Sequence, residues 1–410
     1  MKNLTSLVSL RYLKISRRDM FFSWIALLSI IGITVGVAAM IIVLSVINGF
    51  ETELRNRFLA ANAHVLVYNS PYGINNYDDW AHKITSDFAE DVRGTSPFVH
   101  YETMVKADTT SNAILIRGIH PQKRAKVQSL KNLIFPSSAL DVLQAEIDAG
   151  IQAQPAIIVG KGLLEDLGGK VGELLYLVAP SDESLTTLQA FKVVGVYSSG
   201  LRHYDSRVGI VSLVGAQRLF DYQERVTGIE VGLHNPQKSP QIANAMKDRY
   251  ILNIAEWQSF NRPFFEAMRR ERVVIAIIVA LVAIVAIFNI FTTLFVSVSQ
   301  KIQDISVLKS LGATNKQVNA IFLKQGCLIG ILGNCFGVLL AGVFCFLLKR
   351  FQFVSLPEKV YHISDIPIEF DIWVYLGVCC VSIVCCLIAG FYPARVATRT
   401  SPLEMVRSKQ

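Results

Sequence analysis

The chain has 410 residues, 52% hydrophobic and 18% charged, with a net charge of +8 and a mean hydropathy of +0.40. Such apolar content excludes an ordinary soluble globular protein. The basic residues lack the interleaved aromatics that single-stranded nucleic acid requires, so nucleic acid is not an expected partner.

Residues 1–20 precede the first long apolar run. Leu4, Leu7, Val8 and Ile15 lie apart from Arg11 and Lys14, which predicts a short helix in the cytoplasmic interface. Residues 21–50 form the first expected transmembrane helix, since about 20 apolar residues at ~1.5 Å rise cross a ~30 Å hydrocarbon core. This run is too long for a signal peptide, so it is expected to stay attached. It contains Gly32-Ile-Thr-Val-Gly36, a spacing that lets helices approach closely. Asn48 and Gly49 predict a break or bend at the water boundary. Beyond it Phe50, Leu54 and Phe58 either face lipid or a partner, or simply end the helix.

Residues 51–272 predict a mixed α+β domain of two subdomains. Expected strands are 64–68, 98–107, 113–118, 156–159, 174–178, 191–197, 208–213, 229–233 and 250–254, from β-branched and aromatic runs. Expected helices are 77–90, 140–149, 162–167, 214–222 and 239–248. The polar stretch 137–150 is read as a divider between lobes. Catalytic patterns are missing: the seven histidines form no metal-ligand spacing, and no G-x-S-x-G elbow occurs. The glycines at 160–169 do not make a phosphate loop, because Leu164 stands where its first glycine belongs and Val171 replaces its Ser or Thr. Residues 256–272 are expected to be helical on both sides of Pro263 and to run into residues 273–298, the second transmembrane helix.

Residues 299–324 read as a helix, a break and a second helix. Ile302, Ile305, Leu308 and Gly312 share one face, Gly312 suits a left-handed C-cap, and Thr314 with Gln317 forms a capping box. Such a short, partly apolar helix suits docking of a soluble partner. An ordinary interhelical loop is the alternative. Residues 325–348, the third transmembrane helix, carry Gly326, Gly330, Gly333, Gly337 and Gly342, a stripe suited to close packing within the chain or between subunits. A periplasmic loop, 349–371, leads to the fourth transmembrane helix, 372–392. The tail 393–410 opens after Tyr392-Pro-Ala-Arg395 and is expected to carry a short helix capped at 400–404, with Pro402 in its first turn. All seven cysteines lie in the last two spans and read as packing residues rather than metal ligands.

Charge sets the expected orientation. Segments 1–20, 299–324 and 393–410 carry 5, 4 and 4 Lys or Arg against one acid each, which is 13 − 3 = +10; the rest carries 27 − 29 = −2. The positive-inside rule then places both termini in the cytoplasm and the 51–272 domain outside.

Four stretches together carry a family likeness: Asn48-Gly-Phe-Glu51, Ile305-Ser-Val-Leu-Lys-Ser-Leu-Gly-Ala313, Val360-Tyr-His-Ile-Ser-Asp-Ile-Pro367 and Tyr392-Pro-Ala-Arg395. The chain resembles ABC-transporter permeases of the MacB/FtsX-like superfamily, and within it the LolC/LolE lipoprotein-releasing branch. The resemblance implies an α-helical protein with four transmembrane helices and a large α+β periplasmic domain, in the bacterial inner membrane. It implies a non-catalytic permease without cofactors, whose ATP and Mg are held by a separate LolD-like ATPase dimer. The other implied partners are a second, LolC-like permease or another copy of this chain, a lipoprotein substrate and a LolA-like periplasmic carrier. The coupling helix then comprises Lys301, Ile302, Ile305, Leu308, Lys309, Leu311 and Gly312. For the lipoprotein that the resemblance implies, the nominated route residues are Met40, Val43, Leu44, Ile47, Asn48, Phe50 and Leu54 in the first span, Val274, Ile278 and Val282 in the second, and Tyr361 in the outer loop. Where the carrier-docking subunit bears a protruding hairpin, residues 180–191 are short, which tilts the likeness toward LolE. An FtsX-like signal transmitter controlling a cell-wall hydrolase and a MacB-like exporter permease are the alternatives.

Overall fold

The computed structural model describes residues 20–107, 110–150, 154–179, 187–260, 262–300, 302–351 and 367–399. The expected interfacial helix at 4–15, Lys301, Tyr361 and the tail helix at 400–404 lie outside these residues. The chain divides into two compact units, one of Met1–Thr52, Ala267–Val354 and Asp365–Gln410, the other of Glu53–Glu266 with Ser355–Ser364.

The first unit is built from long helices: Met20–Ala61, which continues past Thr52 into the second unit, then Arg262–Gln300, Asn315–Phe351 and Ile372–Arg399. Among the described residues, Leu27–Ala61, Asn315–Phe351 and Ile372–Ala389 are long and apolar enough to cross a membrane. Ile33, Val37, Ile41, Ile329, Ala341, Val378 and Cys386 form the common core. The glycine stripe of the third helix works within the chain. A side chain on Gly333 would meet Ile33 at 2.6 Å, one on Gly337 would meet Val37 at 2.8 Å, and one on Gly330 would meet Cys386 at 2.8 Å. Gly342 faces nothing within 4 Å. Cys345 and Cys386 are buried packing groups.

Of the break or bend expected at Asn48 and Gly49, the break is corrected by this structure, because Met20–Ala61 is one unbroken 42-residue helix. Glycine costs a helix about 1 kcal/mol against alanine without obliging it to break. Here its missing side chain admits another strand of backbone, described below.

The second unit is organised on one ten-stranded sheet. Its strands are β1 (Val65–Tyr68), β2 (Val92–Ala107), β3 (Thr110–Ile119), β4 (Ile134–Phe135), β5 (Ala156–Gly160), β6 (Leu174–Ala179), β7 (Thr187–Tyr197), β8 (Val208–Ser212), β9 (Gly228–Leu233) and β10 (Asn253–Glu256). The order is β10-β1-β9-β2-β3-β8-β5-β7-β4, with β6 joined to β2 and β7. Pairs β3–β8 and β5–β7 are parallel and the others antiparallel. The nine expected strands all form, the last displaced to Asn253–Glu256. Two-residue β4 and the helices Pro121–Val127 and Arg202–Asp205 go beyond the expectation, being too short to establish a period, whereas Trp257–Phe260 is the expected helical turn before Pro263.

The two expected subdomains correspond to no break in this sheet. The stretch 137–150, read as a divider, is mostly helix Ala139–Ala149, with Ala139, Leu140 and Leu143 packed inward. Buried Glu146 ties it to the sheet by accepting from Ala156 N at 2.6 Å and Ser212 Oγ at 2.5 Å. Entry and exit of the chain are also tied together. In the β1–β10 pair Val65 lies opposite Glu256, and Phe265 contacts both Phe58 (5.6 Å) and Trp257 (5.2 Å).

Gly337→Leu is expected to destabilise the bundle by on the order of 1–3 kcal/mol through overpacking, whereas Gly342→Leu is expected to be neutral. Thermal melting of the two purified variants in detergent compares them directly.

Candidate functional site

The 302–322 segment folds as its local signals direct. Helix Ile302–Ser310 ends with Gly312 at φ +91°, where Gly312 N donates to Lys309 O (3.0 Å) and Ala313 N donates to Leu308 O (2.9 Å). This pair of bonds is a Schellman cap, and a residue with a Cβ would be strained at Gly312. Thr314 N donates to Gln317 Oε1 (2.8 Å) and Gln317 N donates back to Thr314 Oγ1 (3.4 Å), closing the capping box. Ile305, 2% exposed, packs with Val318 and Phe322 and locks the two helices together. Val307 at 59% and Leu311 at 80% exposure stand outward, with Leu308 and Lys309 half-buried beside them. Of the nominated docking residues, Ile305 therefore supports the segment while Leu311 presents it. Ile302 lies in the helix, and nothing is assigned to its side chain.

The nominated lipid-path residues separate into groups. Met40 and Val282 come together at a crevice of about 30 Å³, shared with Ile33, Val37 and Val378. That is room for about one water and no acyl chain. Leu44 packs half-buried on the helical core. Val43, Val274 and Ile278 are exposed apolar groups, and Ile47, Asn48 and Phe50 are half-exposed. Leu54 corrects its nomination. It is 4% exposed, and neighbouring Phe58 is buried against Phe265, so neither faces lipid. The helix continues past Gly49, and its last turns are packed in protein.

Two of the motifs that carried the family likeness meet in space. A Cβ on Gly49 would stand 2.2 Å from the carbonyl oxygen of Pro367, so only glycine admits this approach. Glu369 N donates to Ser45 O at 3.2 Å, Thr52 Oγ1 donates to Glu369 Oε2 at 2.5 Å, and Glu51 pairs with Arg272. This assembly joins the first and fourth long helices' flanking stretches within the first unit.

Sequence reasoning passed over a buried charge cluster at the end of the first helix. Arg117 on β3 and Arg124 on helix Pro121–Val127 both pair with Glu230 on β9, the latter at 2.8 Å, and all three side chains are buried. Arg117 Nη1 and Arg124 Nη2 also donate to Ala61 O, at 3.2 and 3.4 Å. Ala61 is the last residue of helix Met20–Ala61, whose final turn has no basic residue of its own. Burial by itself would raise the Glu230 carboxyl, but the two arginines outweigh it and hold it below its usual range. One signal was available: charged residues on otherwise apolar strands (Ile114-Leu-Ile-Arg117 and Ile229-Glu-Val231) must be paired if both faces are buried. His64 and His100 lie nearby. His64 Nδ1 accepts from Leu233 N at 2.8 Å, and burial followed by nearby arginines lowers both imidazoles to about 4.

Comparison with known proteins gives these features their context. Residues 26–249 match the MacB-like periplasmic core domain, and residues 276–402 match the FtsX-like permease C-terminal domain. The chain belongs to the MacB-like periplasmic core domain family. It is 29% identical to the lipoprotein-releasing system transmembrane protein LolC of Neisseria meningitidis serogroup B, over 99% of this chain and 100% of that protein. Identity to LolC of Xylella fastidiosa (strain Temecula1) is 28%, and to LolE of Haemophilus influenzae 27%, each over 98% of both chains. The LolC/LolE likeness carried by the four motifs is thus borne out along the whole length, on an FtsX- and MacB-like permease plan.

The two histidines set an acid limit on the second unit. Unfolded imidazoles take up protons below about 6.5 and the folded ones only near 4, so protons favour the unfolded chain between these values. Stability present at neutral pH is expected to fall as pH drops from 6.5 toward 4, by about 1.4 kcal/mol per unit of pKa difference for each histidine. Denaturant melts across this range check it, with His64→Gln flattening the decline.

Proposed function

We propose that this chain is a transmembrane permease subunit of an ATP-driven transporter that extracts lipoproteins from the outer leaflet of the bacterial inner membrane and releases them to a periplasmic carrier. Relatives named as lipoprotein-releasing system transmembrane proteins, matched over 98–99% of this chain, are the observation that carries the reading. On it the chain crosses the membrane four times, with both termini in the cytoplasm and residues 51–272 in the periplasm, as the +10 excess of basic over acidic residues on the inner segments supports. The chain is non-catalytic and carries no cofactor; ATP and Mg belong to a separate ATPase dimer. A second homologous permease or another copy of this chain completes the pore. Relatives of near-equal identity carry both the LolC and LolE names, so the support for a LolE-like role is the shortness of the sequence at 180–191.

The capped 302–312 segment is the contact for the ATPase, with Leu311 and Val307 as its apolar projection and Lys309 beside them; Lys301, next before the helix in sequence, adds a second positive charge. Free energy favours an apolar route for the substrate. Wetting three acyl chains of about 16 carbons would cost on the order of 35–40 kcal/mol at ~0.8 kcal/mol per CH2. Val43, Ile47, Val274 and Ile278 supply exposed apolar surface for such a route, and the Met40–Val282 crevice must widen to join it.

Reconstitution of the complex with its ATPase in proteoliposomes is expected to give ATP-dependent transfer of triacylated lipoprotein to soluble carrier, and ATP hydrolysis without transfer would overturn the reading. Leu311→Asp is expected to lower ATPase association at least tenfold in pull-down while leaving the melting temperature unchanged. Val43→Asp or Ile47→Asp is expected to stop transfer with assembly intact.

A further inference from the structure

We propose that the concave surface beside β4 is a docking groove for an acidic peptide segment of a partner protein, added as a short strand along β4 with an apolar side chain laid on Phe135. The proposal concerns the second unit alone and does not rest on the transport reading.

β4 stands last in the sheet order, so one of its edges has no neighbouring strand. Its pairing with β7 decides which groups face that edge. Ile134 lies opposite Tyr197 and Phe135 opposite Val196, while Ser198 N donates to Leu133 O at 2.8 Å. In an antiparallel ladder, bonded and non-bonded pairs alternate. Leu133 and Phe135 are therefore bonded to β7, and the N–H and C=O of Ile134 point to the open edge. An incoming extended chain takes both groups, and its side chains then alternate between the two sides of the strand. Free main-chain groups of this kind suit a peptide and have no use for a lipid.

The surroundings of the edge fit such a guest. A cavity of about 840 Å³ has Phe135, Val196 and Leu164 on its walls together with Lys131 and Lys161. A second, of about 240 Å³, lies between helices Pro121–Val127 and Ala139–Ala149 and shares Lys131. Its Leu130 and Leu140 belong to the apolar cluster of Ile134, whose side chain points opposite to that of Phe135. A third, of about 420 Å³, adjoins the second at Ala125 and Ser129 and carries Arg93 and Lys126. One exposed apolar residue is ordinary on a protein surface. Phe135 differs because it is 81% exposed on the wall of a cavity, beside other apolar groups and two cations.

Charge selects the class of guest. Arg124 is already paired with Glu230, which leaves Arg93, Lys126, Lys131 and Lys161 against Asp141 and Glu165 on the three linings, or 4 − 2 = +2. Lys126, Lys131 and Lys161 are exposed and make no ion pair among the described residues, whereas Lys123, Arg202 and Lys238 each hold an aspartate. Carboxylates on an added strand complete what the chain leaves open.

The test uses the purified full chain in detergent and a fluorescein-labelled heptapeptide in which glutamates alternate with valine, phenylalanine and valine. Fluorescence polarisation is expected to show saturable binding that weakens with added salt. The double substitution Lys131→Glu with Lys161→Glu, and separately Phe135→Ser, are each expected to weaken it roughly tenfold. Melting temperatures are expected to stay unchanged, because all three side chains are exposed. N-methylation of alternate peptide amides is expected to abolish binding in one of the two registers and spare it in the other, since only one set faces β4. Absence of saturable binding, or variants that bind as the wild type does, would overturn the inference. Displacement of the peptide by short-chain phosphatidylglycerol with neither N-methylated register impaired would assign the groove to an anionic lipid, and would overturn it as well.

Discussion

A helix that ends inside a protein leaves its last carbonyls without intrahelical donors, and the second unit is built around meeting that demand at Ala61. The helix supplies no basic residue in its own last turn, so donors must come from elsewhere in the chain. Arg117 and Arg124 supply them, Glu230 balances one of the two charges, and the helix end partly offsets the other. Burying ions is costly unless every member is paired, which makes this cluster a demanding way to end a helix. Its return is directional. Guanidinium bonds fix orientation where an apolar contact would let the helix slide.

Close approach of backbones is the second recurring constraint. Gly333 and Gly337 bring the third long helix against Ile33 and Val37, and Gly330 brings it against Cys386. In lipid the hydrophobic effect does not drive helices together, so contact of this kind and hydrogen bonds such as Asn334 Nδ2 to Cys379 O (3.2 Å) carry the association. Gly49 extends the same economy to the outer end, where its bare backbone meets Pro367. A charge-paired helix end in one unit and glycine contacts in the other give both units stiff helices. The capped 302–312 segment is held by its own caps and by Ile305, with Leu311 presented outward.

How much of this was legible in the sequence follows from the distance between the groups concerned. The C-cap at Gly312 and the box of Thr314 and Gln317 were readable because all their partners lie within six residues. Nine strands were readable because alternation and β-branching act along a few residues. The buried charge cluster at Ala61 was not, since Arg117 and Glu230 are 113 positions apart and Arg117 and Ala61 are 56 apart. For the same reason Gly49 looked like a break and Leu54 like a lipid-facing residue. Their local pattern carries no trace of Pro367 or of the protein surrounding the helix end.

By itself the sequence determined the long apolar helices, the strand set and the capped 302–312 segment, all consequences of composition or short-range periodicity. Tertiary structure alone decided which glycines carry contacts, that the first helix passes Asn48 and Gly49 unbroken, that Ile305 faces inward while Leu311 faces outward, and that two distant arginines meet at Ala61. These depend on which surfaces remain exposed once the chain is packed, and that is settled only when groups far apart in sequence compete for the same space and the same hydrogen bonds.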